Sequence, residues 1–425
     1  MLLARFITDR TGGVAPLLAL AIIPIMGAVA ASVDYSRASA IRSAMQSSLD
    51  ATALMLSKTA QGLSSTQLQD KATGYFTAVF SHPEAAVTGV TPNLTQPSTG
   101  NFALTVSGSA TVNTLFAKIL GLSSIDLTAS SQVLWGIKKL NLALVLDNTG
   151  SMSQSGKMTA LKTAAHNLLN TLQAAATTPG DIQVSIVPFA LDVNVGTSNV
   201  SATWLDWTDW NGENGSCSKT KYTTQSSCTS NGKTWTADNH STWNGCVMDR
   251  DQNNDVLNTA PVVGSTSTMF PANQAAACPT AMIPLSSNWT VLNSKVDAMT
   301  PTGNTNITIG LAWGWQTLTS TAPFYAPAPV WDTDRVIILL TDGLNTQNRW
   351  TTSGTSIDSR TQLACNNIKA SGIKVYTVRV MDGDAALLQS CATSSSMYYD
   401  VTDASQLNAV FSSIAQNLTV LRIAQ

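Results

Sequence analysis

The sequence predicts an α/β protein: a mostly parallel sheet flanked by helices, with a large disulfide-braced insertion, preceded by a transmembrane helix and a small α+β stalk domain. Three observations lead there. After their first residues, Asn141 and Arg335, residues 141–146 and 335–340 are continuous apolar runs, each ending in a polar turn with a glycine, the pattern of strands buried on both faces whose carboxyl ends open toward ligands. Residues 14–33 carry no charge, which suits a membrane span. Six cysteines, none before residue 217, are the even number expected of staples in an oxidising compartment.

Composition sets the bounds. A chain of 425 residues is long enough for two or more folded units. Charged residues make up only 11%, well under the roughly 25% of ordinary soluble domains. The net charge of −2 offers no basic face for phosphates, so no nucleic-acid partner is expected. Three histidines leave little material for histidine-based catalysis. No cysteine pair has the CxxC spacing of a zinc or redox site.

Taking the elements in order, residues 1–13 form a cytoplasmic N-terminus and residues 14–33 the transmembrane helix. Those 20 residues span about 30 Å as a helix, the thickness of a bilayer core. Pro16 and Pro24 are tolerable inside such a span. Arg5 and Arg10 precede it, and Arg37 and Arg42 follow, so charge alone does not orient it. The cysteine-bearing bulk of the chain places the C-terminal part outside. The expected location is the bacterial inner membrane, single-pass, with the bulk periplasmic; the alternative is the cell surface. Residues 34–137 form the stalk domain. Ile41, Met45, Leu49 and Leu56 make an apolar stripe at helical spacing, read as packing onto its own small domain. Residues 64–80 predict a further helix, residues 101–106 and 124–134 strands, and residues 115–120 a short apolar helix.

The N-terminal order Arg5, Phe6, Asp9, Arg10, Gly12, Gly13, an apolar stretch, then Val33, Asp34, Tyr35, Ser36, Arg37 and Gln46, Leu49, Asp50, Ala51 resembles the N-terminal region of TadE/TadG-like proteins of the tight-adherence (Flp) pilus system. Processed pseudopilins of that system carry a Glu five residues after the cleavage-site glycine. Here Leu17 or Leu18 stands there, so the resemblance points to a TadG-like, uncleaved anchor.

From residue 138 to 425 the texture is that of the α/β domain. The first strand ends in Asp147, Asn148, Thr149, Gly150, Ser151 and Met152, and an amphipathic helix with Met158, Leu161, Ala165, Leu168 and Leu172 follows. Asp147 supplies a negative oxygen and Thr149 and Ser151 supply hydroxyls at alternate positions. Such hard oxygens suit Mg²⁺, Ca²⁺ or Mn²⁺ rather than zinc. Residues 301–306 form a turn-rich loop opening onto a helix over 307–318, and residues 335–340 a strand ending in Thr341, Asp342 and Gly343. Further strands are expected over 182–189, 373–380 and 397–401, and a closing helix over 404–421.

Together the DxTGSM loop, the loop containing Thr305 and the strand ending in Thr341, Asp342 and Gly343 resemble the von Willebrand factor A (vWA) fold, a Rossmann-like sheet flanked by helices. The resemblance implies a metal-ion-dependent adhesion site at Asp147, Thr149, Ser151, Thr305 and Asp342. It implies a divalent cation, Mg²⁺ first, with Mn²⁺ or Ca²⁺ as alternatives, and a protein partner whose carboxylate completes the shell. Thr149 replaces the serine more usual in the family and keeps its hydroxyl; Asn304 stands where a second glycine is common.

Residues 191–299 form the insertion within the vWA domain. It contains Trp204, Trp207, Trp210, Trp235 and Trp243, four of the six cysteines, and many Asn, Ser, Thr and Gly residues. Fifteen pairings of six cysteines are possible; local pairing gives Cys217–Cys228 and Cys246–Cys278, leaving Cys365–Cys391. The tryptophans read as the core of a small braced module rather than an interface. The acidic run from Asp249 to Asp255 lacks the glycine and glutamate of a calcium loop.

No GxSxG, phosphate loop or Ser-His-Asp grouping is present, and His166, His82 and His240 lie in contexts without an obvious catalytic partner. The sequence therefore predicts a non-enzyme: a membrane-anchored, extracytoplasmic vWA protein that binds a divalent cation and a partner protein in Flp/Tad pilus assembly and adhesion. Two alternatives are a surface adhesin recognising host or matrix protein and, less favoured, a metal-dependent hydrolase, which would need a general base beside the ion.

Overall fold

A computed structural model describes residues 14–98, 101–136, 139–176, 178–330 and 332–423. The N-terminal segment 1–13, with Arg5, Arg10, Gly12 and Gly13, lies outside the described residues. The chain divides into two compact units, Met1–Ile137 and Lys138–Gln425.

In the first unit one helix, α1 (Val14–Ser57), runs without a break through the uncharged stretch and the stalk. Its part from Leu20 onward is long and apolar enough to cross a membrane, and its most apolar stretch is almost wholly exposed. Beyond residue 37 the exposure ends on one side: Ile41, Met45, Leu49, Ala53 and Leu56 are fully buried. They pack with Leu68, Ala72 and Phe76 of α2 (Ser65–Val79) and with a three-stranded antiparallel sheet, β1 (Ala85–Ser98), β2 (Asn101–Asn113) and β3 (Ser124–Gly136), in that spatial order. The apolar stripe is thus the unit's own core, as read from its spacing. Helix α2 starts at a capping box in which Ser64 and Gln67 satisfy each other's backbone N–H groups. Between β2 and β3 a short 3₁₀ turn, Ala117–Leu120, stands where an apolar helix was expected. Strand β1 was not expected. It contains Pro92 and Pro97, which read as turn residues, but it lies at the sheet edge, the one place a ladder tolerates proline.

The second unit opens with β4 (Lys139–Asp147), α3 (Lys157–Ala175) and β5 (Ile182–Phe189). The insertion contributes β6 (Val193–Asn194), β7 (Leu205–Asp206), α4 (Thr208–Glu213), β8 (Gly215–Cys217), α5 (Gln225–Ser230), β9 (Trp235–Ala237), β10 (Cys246–Val247), β11 (Phe270–Asn273), β12 (Ile283–Ser286) and α6 (Trp289–Ala298). The chain ends with α7 (Ile307–Thr317), β13 (Thr333–Thr341), α8 (Gly354–Ala370), β14 (Lys374–Val380), α9 (Ala385–Cys391), β15 (Tyr398–Val401) and α10 (Leu407–Ile423).

The main sheet runs β15-β14-β13-β4-β5 with every pair parallel. It continues through β6, β10, β11 and β7, while β12 pairs antiparallel with β5. The insertion is therefore hydrogen-bonded into the sheet rather than set apart from it. Its last helix, α6, sends Leu292 and Val296 into the same core as α3 and α10.

Alternation along β4 divides two cores. Leu142, Leu144 and Leu146 face α3, α6 and α10. Ala143 and Val145 face α7, α8 and the aromatic residues Trp204, Trp210, Trp243 and Trp313. Trp210 and Trp243 are fully buried, which favours the core reading of the insertion's aromatics. All three expected disulfides are present, Cys217–Cys228, Cys246–Cys278 and Cys365–Cys391.

Helix α7 sits close to the sheet because Gly310 and Gly314, one turn apart, face it. A Cβ at Gly314 would come within 2.4 Å of the Val145 Cγ2, and one at Gly310 within 2.7 Å of the Phe189 ring. Helix propensity alone favours alanine over glycine by about 1 kcal/mol, but overpacking costs about 1–3 kcal/mol. Packing should win: Gly314→Ala is expected to lower the midpoint of thermal or urea unfolding, and an unchanged or raised midpoint would show that α7 has room to move.

Candidate metal centre

The parallel register builds this site. Leu146 on β4 pairs with Leu340 on β13, and Asp147 pairs with Phe189 on β5. Thr341, the last residue of β13, and Asp342 just after it therefore emerge beside Asp147 at the carboxyl ends of central strands. Asp147 has no exposed surface and Asp342 almost none.

After β4 the chain turns through a 3₁₀ segment, Gly150–Ser153, whose Met152 is buried in the core and anchors the loop. Two backbone hydrogen bonds staple this loop to the one before α7, from Gly150 N to the Gly303 carbonyl at 3.0 Å and from Thr302 N to the Asn148 carbonyl at 2.7 Å. The Asn148 amide donates to the Thr300 carbonyl at 2.6 Å. The Thr305 backbone in turn exchanges bonds with Thr346, accepting from its N–H at 3.0 Å and donating to its hydroxyl at 2.9 Å. Three loops distant in sequence are thereby locked to one another.

The side chains at their junction form a continuous chain. The Thr149 hydroxyl donates to Asp147 Oδ1 at 2.5 Å and lies 3.0 Å from the Ser151 hydroxyl. Ser151 donates to Asp342 Oδ1 at 2.6 Å. Thr305 joins from the side. A Cβ built on Gly343 would lie 3.4 Å from the Thr305 hydroxyl and 3.7 Å from that of Ser151, so both hydroxyls border the space that this glycine leaves open beside Asp342. The structure thus gathers all five residues singled out in the sequence.

Two further residues belong to the cluster and were not singled out. The Thr341 hydroxyl donates to the other Asp147 oxygen at 2.6 Å. The Lys157 ammonium, at the first turn of α3, donates to Asp342 Oδ2 at 2.9 Å and to Asp382 Oδ2 at 3.1 Å. Lys157 is buried. A sign of its role was available: in that helix it precedes the apolar stripe by one residue.

Electrostatics follow from burial. Asp147 is pushed up to about 6, first by burial and then by the negative charge of Asp342, against the pull of the hydrogen bonds from Thr149 and Thr341. Burial would lower the Lys157 pKa, but hydrogen bonds to Asp342 and Asp382 and their charges outweigh it and hold the ammonium above the usual lysine value.

The residues fit a hard divalent cation. Two buried carboxylates face a cluster of hydroxyls, and Gly343 keeps open a cradle that a side chain would fill. Among the described residues no group of three or more His, Cys, Asp and Glu side chains gathers in a metal-binding arrangement. A cation here would rest on two carboxylates with neutral oxygens, which disfavours zinc and suits Mg²⁺.

The acidic run of the insertion is already paired. Asp251 and Asp255 bind Arg349 and Arg360, and Asp249 accepts from the Asn306 amide at 2.8 Å and from the Arg349 backbone. Burial raises Asp249 to about 7 and Asp192 to about 6. The histidines also have structural partners: His166 meets Asn293 and Asp297, His82 meets Glu84, and His240 stacks on Trp207.

Comparison with known families gives two matches. Residues 12–55 match the Flp pilus-assembly TadE/G-like family, and residues 252–413 match the von Willebrand factor type A domain. The second match includes Thr305 and Asp342 and begins downstream of Asp147, Thr149 and Ser151. Among solved structures, the chain is similar to the pilus adhesin SpaC from Lactobacillus rhamnosus GG, with 13% identity and a TM-score of 0.39, covering 81% of this chain and 35% of that one. It is similar to the vWF domain of the type V pili tip protein Mfa5 from Porphyromonas gingivalis, with 11% identity and a TM-score of 0.39, covering 67% and 97%. A third is proximal thread matrix protein 1 from the mussel byssus with a zinc-occupied MIDAS motif, at 11% identity and a TM-score of 0.36, covering 67% and 49%. No curated protein matches the sequence. The chain carries a TadE/G-like region at residues 12–55 and a von Willebrand factor type A domain at residues 252–413.

Proposed function

We propose that this is a membrane-anchored, extracytoplasmic protein of a Tad-type pilus. In this reading its vWA domain, residues 138–425, holds a divalent cation through Asp147, Thr149, Ser151, Thr305 and Asp342 and uses it to grip a carboxylate of a partner protein. The observation that carries the reading is the meeting of two buried, mutually repelling carboxylates with three hydroxyls around the open cradle at Gly343. A bound divalent cation would supply a Lewis-acidic position for an acid oxygen from outside. The chain's own residues do the rest. Asp147 and Asp342 balance the ion's charge. Thr149, Ser151 and Thr305 add oxygens without adding charge, so the ion keeps its pull on an anionic partner. Thr341 and Lys157 fix the carboxylate orientations. No residue in the cluster is free to act as a general base, since the one nearby amine is held between two aspartates, so recognition is favoured over hydrolysis.

Asp147→Asn and Asp342→Asn are each expected to weaken Mg²⁺ or Mn²⁺ binding by at least about 100-fold. Calorimetry on the detergent-solubilised chain measures this, and wild-type affinity in either variant would remove that residue from the site.

Lys157→Met leaves the buried Asp342 without its cation, a loss of about 3–5 kcal/mol in the ion-free protein. Added Mg²⁺ should then raise the unfolding temperature of this variant more than that of the wild type. A smaller rise would mean that Lys157 helps to hold the ion rather than substituting for part of its charge.

The raised Asp147 gives a pH signature in chelator. Its folded value, about 6, lies above the unfolded 3.8, so the folded state favours the protonated form. That contribution is complete below pH 3.8 and is lost as pH rises through about 6. Asp147→Asn should therefore gain stability over the wild type as pH rises from 3.8 to about 6 and keep that gain above it, and saturating Mg²⁺ should abolish the gain. Parallel pH curves for the two proteins in chelator would contradict the assignment.

A further inference from the structure

The turn between β2 and β3, residues 114–123, serves none of the roles above, and its chemistry is unusual for a water-exposed hairpin tip. Leu115 and Phe116 are about half exposed, Leu122 is 63% exposed and Ile119 81%. Lys118 is the one charge in the segment. Four large apolar side chains in so short a turn form the kind of exposed patch that marks an interaction surface.

Its position follows from Asp34, the first charged residue after the uncharged stretch of α1. The buried Asp34 carboxylate accepts three consecutive backbone N–H groups, from Leu115 at 2.8 Å, Phe116 at 2.9 Å and Ala117 at 2.7 Å. A groove of about 490 Å³ between helix and turn is lined by Ala28 and Ala31 on one side and Ala117 and Leu122 on the other. Ala28 lies about 9 Å before Asp34 along the helix axis. The turn thus stands alongside the last turns of the stretch read as membrane-spanning.

The backbone of the turn is prepared to leave water. Besides the three amides held by Asp34, Ile119 N bonds the Phe116 carbonyl, Gly121 N that of Lys118, Leu122 N that of Ala117 and Thr114 N that of Ser123, at 3.0–3.1 Å. The Thr114 hydroxyl donates to the Leu122 carbonyl at 2.5 Å. Satisfied backbone groups are the condition for entering a lipid environment. The flanks have interfacial character: Tyr35 is exposed on α1, and Arg37, Arg42 and Lys118 supply cations for lipid headgroups.

We infer that this turn inserts Leu115, Phe116, Ile119 and Leu122 into the lipid interface beside α1, giving the protein a second membrane contact clamped to its anchor by Asp34. The inference rests on the reading of α1 as a membrane anchor. Lipid is favoured as the occupant over another protein because the apolar surface of the turn is continuous with that of the anchor. A polar environment-sensitive fluorophore on Ile119→Cys tests it. All six native cysteines are in disulfides, so the added thiol is the single free one. The full chain is placed in vesicles of phosphatidylethanolamine and phosphatidylglycerol, with Met26→Cys labelling the anchor and Thr66→Cys labelling α2.

The expected result is a blue-shifted emission at position 119, quenched by lipids with a nitroxide high in the acyl chain, while position 66 keeps its aqueous emission. A quenched position 26 with an aqueous position 119 would overturn the inference and leave the anchor standing. An unquenched position 26 would overturn both. A blue shift at 119 without lipid quenching would assign the patch to a protein surface instead.

Discussion

Two carboxylates brought to the same buried end of a parallel sheet are the constraint around which the vWA unit is organised. The register of β4 against β13 sets Asp147 beside Thr341 and Asp342, and neither acid reaches water. Charge in such a place is costly unless hydrogen bonds and counter-charge offset it. The surroundings supply both. Thr149 and Thr341 donate to Asp147, Ser151 donates to Asp342, and the Lys157 ammonium reaches in from α3. The loops carrying these donors are in turn tied by backbone bonds at Gly150, Thr302 and Thr346. Preorganisation at the site is therefore a property of the sheet, not of any single loop.

The two ends of the molecule were legible in the sequence for different reasons. Strands β4 and β13 are largely apolar runs because both their faces are covered, and that signal does not depend on neighbours. Asp147, Thr149, Ser151, Thr305 and Asp342 were found through loop chemistry at strand ends and a family resemblance, and the geometry draws them together. The three disulfides followed from spacing, since each cysteine bonds its next neighbour in the chain. What escaped was whatever depends on distant partners. Strand β1 was hidden by Pro92 and Pro97, whose tolerance rests on its edge position. Lys157 and Thr341 are ordinary residues locally, and only the fold aims them at the acids. The insertion's strands are two to four residues long, too short for a period of two to register.

The insertion also changes meaning once its contacts are known. Trp204, Trp207, Trp210 and Trp243 belong to the core that covers one face of the sheet, with Trp204 near Phe270 and Trp313, and Trp207 against Trp210, Trp243 and His240. Arg349, in the loop after Asp342, binds Asp209 and Asp251 of the insertion. Asn306, directly after Thr305, both caps α7 and donates to Asp249. The segment is therefore continuous, through side chains, with two of the three loops of the candidate site.

The same insertion governs what the sheet presents at its border. A parallel sheet that stopped at β5 would leave the outer edge of an eight-residue strand open, a template for another chain to zip onto. Instead β12 and β6 cover β5, and the sheet tapers through strands of two to four residues to β7, as it ends on the other flank at the four residues of β15. The protein is by this means spared from joining strands with neighbouring chains by accident, and the insertion that braces the candidate site also shields the border of the sheet.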